Sequence, residues 1–343
     1  MVKSKVLCFG ELLLRISPAS QIDEAEKQPM ILHIGGAEAN VANALAGWDL
    51  TVDFCTVLPD NFMSRHMLHY LQQNGIYTTS ILLAGNRIGV YYVDKNAALK
   101  TNIIYDRDQS SFTQLKVGEI DWDKVLADIS WFHLSAITPG LNAQLAAVCI
   151  EALEAAVKKN ITTSIDLNYR SNLWRYGVDP ETVMPELVQH CDVVMGNIWS
   201  ANQLLGIDVD EHIHDKRSKI AYTDHAEETA IEIMRLFPKC TTVANNFRFE
   251  DEVNHLLYYT SLYQKAVHYD SQEFSCKAVD DCSGSGDIFM AGLIYGLYKK
   301  HTPQQLLNFA TAASFAKMQE HNKFPDTNVL MVPGGGFNKN NFL

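Results

Sequence analysis

The amino-acid sequence predicts an α/β protein built on a doubly wound, mostly parallel β-sheet. Along most of the chain, short apolar runs of strand length alternate with longer segments whose apolar residues recur at helical spacing. Near the C-terminus a glycine-containing turn, Gly284-Ser285-Gly286, leads directly into a strongly apolar helical segment. Sheets of this kind bind their ligands at the carboxyl ends of the parallel strands. A small-molecule site is therefore expected at that edge of the sheet.

The predicted elements follow the βαβ order. The first strand, residues 6–10, is an apolar run ending in Gly-Glu, as in a buried strand that opens on a site. Residues 36–48 have apolar side chains at helical spacing and predict the first helix. Further strands are predicted at residues 52–58, 131–136, 163–168, 193–197, 241–245, 256–262 and 266–269. Further helices are predicted at residues 62–74, 143–158, 225–237, 288–299 and 303–319.

Three stretches depart from this alternation. Leu12, Leu14 and Ile16 alternate with less apolar neighbours, which is typical of a half-buried strand. Residues 89–94 and 101–105 are rich in β-formers and flank a predicted turn. A small second sheet is therefore expected beside the main one.

The composition excludes several classes of protein. The chain has 343 residues, 47% of them hydrophobic, so it can bury a large core. A formal net charge of −12 argues against nucleic acid or an anionic membrane as a partner, and an anionic substrate would need a local cluster of arginines. The seven cysteines are scattered and predict neither a disulfide framework nor a metal site. Because no apolar run reaches about 18 residues and the N-terminal one is too short for a signal peptide, a cytoplasmic location is expected.

Residues 281–287, with the sequence DCSGSGD, predict an anion site beside a base. Gly284, Ser285 and Gly286 would direct their backbone N–H groups to one point at a helix start, which suits a phosphate. Asp287 is a poor phosphate ligand because of its charge, and it is predicted to be the general base that takes a proton from a hydroxyl. The alternative is an ordinary helix start with an acidic first turn.

Two motifs resemble one family. Residues 281–287 resemble the Asp-Thr-x-Gly-Ala-Gly-Asp signature of the ribokinase-like (PfkB) carbohydrate kinases, with Cys282 for Thr and Ser285 for Ala. Residues 35–42, with the sequence GGAEANVA, resemble the N-terminal motif of that family. The two motifs in this order are far more specific than either alone. The resemblance implies a ribokinase-like fold and a phosphotransferase that uses ATP and Mg²⁺.

The resemblance also implies how the chain is divided. The small β-sheet forms a lid over the sugar, made of residues 12–35 and 87–113. The α/β core is made of residues 1–11, 36–86 and 114–343. Lid strands in this family often pair between subunits, which protects their edges, so the resemblance implies a homo-oligomer formed through the lid.

A third motif resembles one branch of the family. Residues 166–174, with the sequence DLNYRSNLW, resemble the Asp-x-Asn-x-Arg-x-x-Leu-Trp pattern of the 2-keto-3-deoxygluconate kinases, which phosphorylate the C6 hydroxyl of a sugar acid. The sugar-binding positions that this resemblance implies are Gly36, Asn40, Tyr91, Tyr105, Arg107 and Arg170. The two arginines would face the substrate carboxylate, because a planar guanidinium fork matches a carboxylate.

These positions have structural alternatives. For Tyr91 and Tyr105 the alternative is packing within the lid. For Arg107 it is a solvated loop charge paired with one of the aspartates on either side of it. For Arg170 it is a surface position at a strand end. The presence of both arginines in a chain of net charge −12 favours substrate binding.

Departures from the family pattern fall on the nucleotide side. The nucleotide-binding positions implied by the resemblance are Asn197, Asp281 and Ser283. Many members carry Asn-x-x-Glu from position 197, the glutamate helping to hold magnesium, but this chain has Ser200 there. Magnesium would then depend on phosphates, water and another acid such as Glu38, or bind more weakly. Residues 243–248, with the sequence VANNFR, stand where a glycine-containing loop is usual.

The sequence therefore predicts ATP-dependent phosphorylation of a sugar acid, most closely 2-keto-3-deoxygluconate to its 6-phosphate, with Asp287 as general base. A kinase for a neutral sugar such as fructose or ribose is the first alternative, and it would not need Arg107 and Arg170 together. A sugar-binding or regulatory protein that has lost efficient transfer is the second. Ser200 and the altered loop favour this second alternative, whereas Asp287 and the intact glycines argue against it.

Overall fold

A computed structural model describes residues 4–18, 29–94, 102–216, 218–250, 255–277 and 282–319. The strands are β1 (Lys5–Phe9), β2 (Leu13–Pro18), β3 (Met30–Gly35), β4 (Val52–Leu58), β5 (Ile76–Tyr77), β6 (Ile81–Leu83), β7 (Val90–Asp94), β8 (Asn102–Asp106), β9 (Ile129–Ser135), β10 (Thr162–Asp166), β11 (Val193–Gly196), β12 (Thr242–Glu250), β13 (His255–Gln264), β14 (Val267–Asp270) and β15 (Phe274–Lys277).

The helices lie between these strands and at the C-terminal end of the described chain. They are α1 (Ala37–Gly47), α2 (Phe62–Gln73), α3 (Trp122–Val125), α4 (Ile137–Leu141), α5 (Ala143–Lys158), α6 (Pro180–Val188), α7 (Ile198–Leu205), α8 (Ile213–Lys216), α9 (Lys219–Leu236), α10 (Ser285–Tyr298) and α11 (Pro303–Gln319). None of them, within the described residues, is long and apolar enough to cross a membrane. The cytoplasmic location stays a prediction.

Within the described residues the main sheet has 11 strands, and its order is β14-β13-β12-β11-β10-β9-β1-β4-β5, with β15 paired to β13 and β6 to β4. The strands from β12 to β5 pair in parallel, whereas β13, β14 and β15 are antiparallel. One face packs against α5, α6, α7 and α9, and the other against α1, α2, α10 and α11. The predicted doubly wound, mostly parallel sheet is confirmed.

A second sheet of four strands, in the order β3-β2-β7-β8, stands apart from the main sheet, as predicted. We call it the lid sheet. Its strands β2 and β3 form a hairpin-like antiparallel pair, β7 pairs in parallel with β2, and β8 pairs antiparallel with β7. The exact boundaries between lid and core stay a prediction.

Several elements differ from the sequence-based expectation. The sequence did not predict the helices α3, α4, α6, α7 and α8 or the strands β3, β5, β6 and β15. Helix α9 begins at Lys219, six positions before the predicted start. Strand β12 continues from the predicted end at Asn245 to Glu250, because β13 supplies an antiparallel partner along its whole length. A signal for α7 was present in the sequence: Asn197 and Ser200 are three positions apart and form a capping box at its start.

Helix α10 contacts α11 unusually closely through two glycines. A Cβ added at Gly292 would lie 2.5 Å from the Cα of Ala310, and one at Gly296 would lie 2.4 Å from the Cβ of Leu306. Neither position accepts a larger residue without separating the helices. The contact fixes α10, whose first turn lies at the carboxyl edge of the sheet, against the core.

Candidate active site

A cavity of about 840 Å³ opens at the carboxyl ends of β10 and β11, between the starts of α1 and α10 and the lid sheet. The predicted site residues that line it are Gly36, Asn40, Tyr91, Tyr105, Arg107, Arg170, Asn197, Ser283, Gly284, Ser285, Gly286 and Asp287. Asp281, which was predicted to contact the nucleotide, lies outside the described residues. The fold thus brings together positions that are far apart in the sequence, although the roles assigned to them stay predictions.

Asp287 is the third residue of α10 and is only 7% exposed. The side-chain amide of Asn40, on α1, donates a hydrogen bond of 2.7 Å to its Oδ2. Burial raises the pKa of Asp287 to about 6, and the Asn40 hydrogen bond and the charges of Arg170 and Lys317 oppose this rise. A carboxylate with this pKa is ionised at neutral pH and can still accept a proton, as a general base must.

We expect kcat/KM for the sugar to fall as the pH drops through about 6, because protonated Asp287 cannot accept the hydroxyl proton.

The free energy of unfolding depends on the pH in the opposite direction. An acid with a raised pKa in the folded state favours folding when protonated, and this contribution is lost as the pH rises through about 6. Titration of Asp287 therefore does not unfold the protein at low pH. Rates measured over a pH series, with circular dichroism as the control for folding, check this. A kcat/KM that stays constant down to about pH 4 would contradict it.

The anion loop, residues 283–286, turns through Gly284, which has a φ of 81° and precedes the first residue of α10. A Cβ at Gly284 would also lie 3.2 Å from Nδ2 of Asn40. The N–H of Ser285, predicted to bind the anion, donates instead to the carbonyl oxygen of Cys282 at 3.2 Å. The next N–H groups, of Gly286 and Asp287, lie in the first helical turn, where the helix itself supplies no acceptor. An anion here would be bound mainly by these two and by the helix dipole.

The backbone conformation at position 36 requires a glycine. Its φ is 141°, and a Cβ would lie 2.5 Å from the carbonyl oxygen of Glu11. The start of α1 therefore approaches the segment after β1 more closely than a residue with a side chain at position 36 would allow. This contact places Glu38 and Asn40, in the first turns of α1, at the cavity wall.

Arg107 is 6% exposed and forms a buried ion pair with Glu11. Its Nε donates to Oε2 of Glu11 at 2.8 Å, and the hydroxyl of Ser110 donates to Oε1 of the same carboxylate. The alternative of a solvated charge paired with a neighbouring aspartate is wrong, because Arg107 is buried and pairs with Glu11, and Asp106 pairs with Arg87. The predictions did not include Glu11, although the Gly-Glu pair at the end of the first buried strand was the available signal.

Tyr91 and Tyr105 face each other on neighbouring strands β7 and β8 of the lid sheet. Their rings stack with centroids 5.9 Å apart and an angle of 28° between the planes. Both line the cavity. Packing within the lid and contact with a ligand, which the sequence left as alternatives, are therefore compatible for this pair.

Three buried carboxyl groups, of Glu38, Asp166 and Asp287, share the cavity with Arg170. Burial raises the pKa of Asp166 well above its usual range, and the charge of Asp287 raises it further, whereas Arg170 opposes the rise. Burial also raises the pKa of Glu38 to about 7 despite hydrogen bonds from Ser135. Arg170 is exposed and lines the cavity, and its Nη1 donates to the carbonyl oxygen of Tyr169 at 2.9 Å.

The model of the pfkB family of carbohydrate kinases matches residues 3–237, more than half of the chain. The chain belongs to the PfkB family. The matched range contains the N-terminal glycine motif at residues 35–42 and the residues that carry Arg107 and Arg170. Membership confirms the resemblance that the two glycine motifs indicated and makes the chain a member of a family of phosphotransferases.

Two relatives of this PfkB family member have names that describe kinases of sugar acids. The present chain is 29% identical over 208 residues to a 2-dehydro-3-deoxygalactonokinase of Haloferax volcanii, a match that covers 60% of this chain and 65% of that relative. It is 31% identical to the 2-dehydro-3-deoxygluconokinase of Thermotoga maritima, whose crystal structure superposes with a TM-score of 0.84 over 94% of this chain and 96% of that one. A fructokinase of Xylella fastidiosa with bound ATP shares the fold, with 19% identity, 93% and 94% coverage and a TM-score of 0.72.

Magnesium, which the family implies, has no site built from protein ligands in the described part of this PfkB family member. No group of three His, Cys, Asp or Glu side chains there is arranged to hold a metal ion. Ser200, at the position of the usual glutamate, is neutral, and its hydroxyl accepts from the N–H of Asn197 at 2.9 Å in the helix cap. Glu38, the acid suggested in its place, accepts a hydrogen bond of 3.0 Å from the N–H of Ser135. The side chains present do not fit a dedicated magnesium site.

Proposed function

We propose that this protein phosphorylates a sugar acid with ATP, most closely 2-keto-3-deoxygluconate at its C6 hydroxyl, and that Asp287 is the general base. One observation carries the proposal: a buried carboxylate stands at the start of α10 in the same cavity as Arg107 and Arg170. The names of the two relatives above support the choice of a sugar acid. Magnesium enters only as the counter-ion that ATP carries in solution.

In the proposed reaction the sugar hydroxyl gives its proton to Asp287 while its oxygen forms a bond to the γ-phosphorus. The bond from the γ-phosphorus to the bridging oxygen breaks, and its electron pair leaves with ADP. Asn40 orients the carboxylate through Oδ2. The N–H groups of Gly286 and Asp287 stabilise the charge on the transferring group. The lid sheet excludes water, which would otherwise accept the phosphoryl group.

The substrate carboxylate is assigned chiefly to Arg170, which is exposed to the cavity. Arg107 is assigned a supporting role, because Glu11 already accepts hydrogen bonds from its Nε and Nη2. Glu11 thereby occupies one edge of the guanidinium fork and neutralises its charge. The remaining edge is the part of Arg107 that the proposal gives to the sugar acid.

The experiment measures ADP formation from ATP with 2-keto-3-deoxygluconate, fructose, ribose and no sugar. Turnover with the sugar acid alone is expected. Arg170→Gln should raise the KM for the sugar acid about tenfold, the loss of a charged hydrogen bond. Arg235→Gln, an exposed arginine on α9 paired with Glu232, is the matched control. Equal turnover of fructose or ribose would contradict the substrate, and absence of turnover with every sugar would contradict the kinase.

A kinase for a neutral sugar is the second candidate, and the Glu11–Arg107 ion pair favours it. Since Glu11 cancels the charge of one arginine, the cavity attracts an anion less strongly than two free arginines would. Under this alternative Arg170→Gln changes the KM for fructose or ribose by less than about twofold. The same panel and variant therefore distinguish the two substrate classes.

The homo-oligomer is proposed to form through the outer face of the lid sheet. The register places Leu32, Ile16, Tyr92 and Ile104 side by side across the four strands, on the face opposite Tyr91 and Tyr105. Leu32, Tyr92 and Ile104 are 41%, 39% and 60% exposed in the single chain. A continuous apolar row of this kind is typical of a surface that a partner covers, and a second copy presents the same row.

We expect Ile104→Asp to dissociate the oligomer, because the association would bury the new charge. Light scattering of the full chain measures the mass. Ile220→Asp is the control, since Ile220 is 69% exposed on α9, away from the lid sheet. A monomeric unmodified protein, or an Ile104→Asp variant of unchanged mass, would contradict the proposed interface.

A further inference from the structure

Strand β12 extends beyond the parallel part of the main sheet. Its pairing with β11 ends at Asn245, opposite Gly196, and the following residues pair only with β13. In that extension Asn246 lies opposite Thr260, and Arg248 lies opposite Tyr258. Because side chains alternate between faces along a strand and directly paired residues share a face, Asn246, Arg248 and Tyr258 lie on one face of the sheet.

That face looks towards the anion loop. A Cβ added at Gly286 would lie 3.7 Å from Nδ2 of Asn246, so the amide borders the first turn of α10. Tyr258 packs against Phe315 and Met318 of α11. Asn246, Arg248 and Tyr258 all line the cavity that contains the anion loop and Asp287. The intervening Phe247 points to the opposite face, into a separate aromatic cluster.

The polar groups on this face have unused hydrogen-bonding capacity. Tyr258 is 1% exposed, and its hydroxyl has no hydrogen-bond partner within the described residues. The hydroxyl of Ser314 lies close enough to oppose the rise that burial causes in the pKa of Tyr258, but it donates its own hydrogen to the carbonyl oxygen of Ser285 at 2.7 Å. Arg248 is exposed, and in the described part of the chain no carboxylate pairs with it. A buried hydroxyl without a partner is costly, which indicates a ligand that completes the hydrogen bonding.

The charge balance of the cavity identifies the class of ligand. Arg107 is neutralised by Glu11, and the charge of Arg170 acts on Asp166 and Asp287, whose pKa values it lowers. The position that usually contributes a magnesium-holding glutamate is the neutral Ser200. A nucleoside triphosphate carries several negative charges, and Arg248 is a cation in the same cavity as the anion loop that no acid in the described residues neutralises. A guanidinium fork matches the oxygens of a phosphate.

We propose that Arg248 binds the phosphate chain of the nucleoside triphosphate, with Asn246 and the Tyr258 hydroxyl as additional hydrogen-bond donors. The inference rests on the proposed kinase function and adds three residues to its nucleotide site. In this proposal the positive charge of Arg248 neutralises part of the phosphate charge. In other family members a magnesium ion held with the help of a glutamate would do this. The residues act on binding of the phosphates, not on the sugar.

The test is calorimetric binding of ATP, ADP and adenosine to the full chain without sugar. Arg248→Gln should weaken ATP and ADP binding roughly 10-fold to 100-fold, and leave adenosine binding within about twofold. Arg248→Lys should recover part of the loss, because a point charge replaces the fork. Tyr258→Phe should weaken ATP binding about threefold. Arg235→Gln and Tyr263→Phe, the latter on the same strand, are the matched controls and should change nothing.

Each further outcome decides the inference. Equal ATP affinity of Arg248→Gln and the unmodified protein overturns it while the kinase function stands, provided that the unmodified protein turns over a sugar. A parallel loss of adenosine binding also overturns it, because Arg248 would then support the fold or the nucleobase. In steady state a rise in the KM for ATP at unchanged sugar KM supports it. An unmodified protein that binds no nucleotide overturns both the inference and the kinase function.

Discussion

Asp287→Asn is expected to reduce kcat by roughly a hundredfold to ten-thousandfold while sugar affinity changes little. Asparagine has the shape of aspartate, but its amide cannot accept the proton of the sugar hydroxyl. The donor of the existing contact, Nδ2 of Asn40, can still bond to an amide oxygen, so the first turn of α10 should keep its position. Stopped assays of ADP formation and calorimetry with the sugar measure the two effects separately.

The control for this variant is Asp60→Asn, which removes an equal charge from an exposed residue that pairs with Arg65. Its kcat should equal that of the unmodified protein. Melting temperatures of the two variants test whether the fold is intact. If Asp287→Asn kept more than about a tenth of the unmodified kcat, another group would have to be the base.

Glu11→Gln is expected to lower the free energy of unfolding by about 3–5 kcal/mol, because it leaves the charge of Arg107 buried without its counter-charge. Both side chains of the ion pair are buried. In the variant the hydroxyl of Ser110 also loses its charged acceptor. Glutamine fills the same space, so the loss would come from electrostatics and not from a cavity. Urea unfolding of the full chain measures the difference in the free energy of unfolding, provided that the m-values of the variant and the unmodified protein are equal.

A second variant separates charge from packing in this pair. Glu11→Gln combined with Arg107→Met removes both charges, and it should recover most of the stability lost by Glu11→Gln alone. Asp106→Asn is the exposed comparison, since its partner Arg87 remains in solvent, and it should cost at most about 1 kcal/mol. A loss below about 1 kcal/mol for Glu11→Gln would mean that the pair is hydrated in solution.

The parallel sheet could be predicted from the sequence because its central strands are buried on both faces. Strand β4 is an example: all seven of its residues are buried, and its apolar run was predicted at residues 52–58. The site at the carboxyl edge followed from the same pattern, since Asp166 ends β10 and Asp287 lies in the first turn of α10. These signals are local, and a run of neighbouring residues contains all the information needed to recognise them.

The contacts that could not be predicted join residues distant in the chain. Glu11 and Arg107 are 96 positions apart, and nothing in the residues around Arg107 distinguishes its buried partner from the two aspartates beside it. The extension of β12 to Glu250 depends on the presence of β13, which periodicity within β12 cannot reveal. Sequence patterns therefore predicted which residues are near the cavity better than they predicted what each one binds.

The close contact of Gly292 and Gly296 with α11 bears on the direction of any closing motion. Because the Cα of Ala310 lies where a side chain would stand on Gly292, α10 cannot slide or rotate along α11 without steric overlap. Asp287 and the N-terminal end of the α10 dipole are therefore held in a fixed position at the cavity wall. In the proposed reaction the moving part is the lid sheet, which joins the core before β2, after β3, before β7 and after β8. If Asp287 is the base, closure of this sheet would bring the sugar hydroxyl to a carboxylate that does not move, and the extent of closure would set the distance for proton transfer.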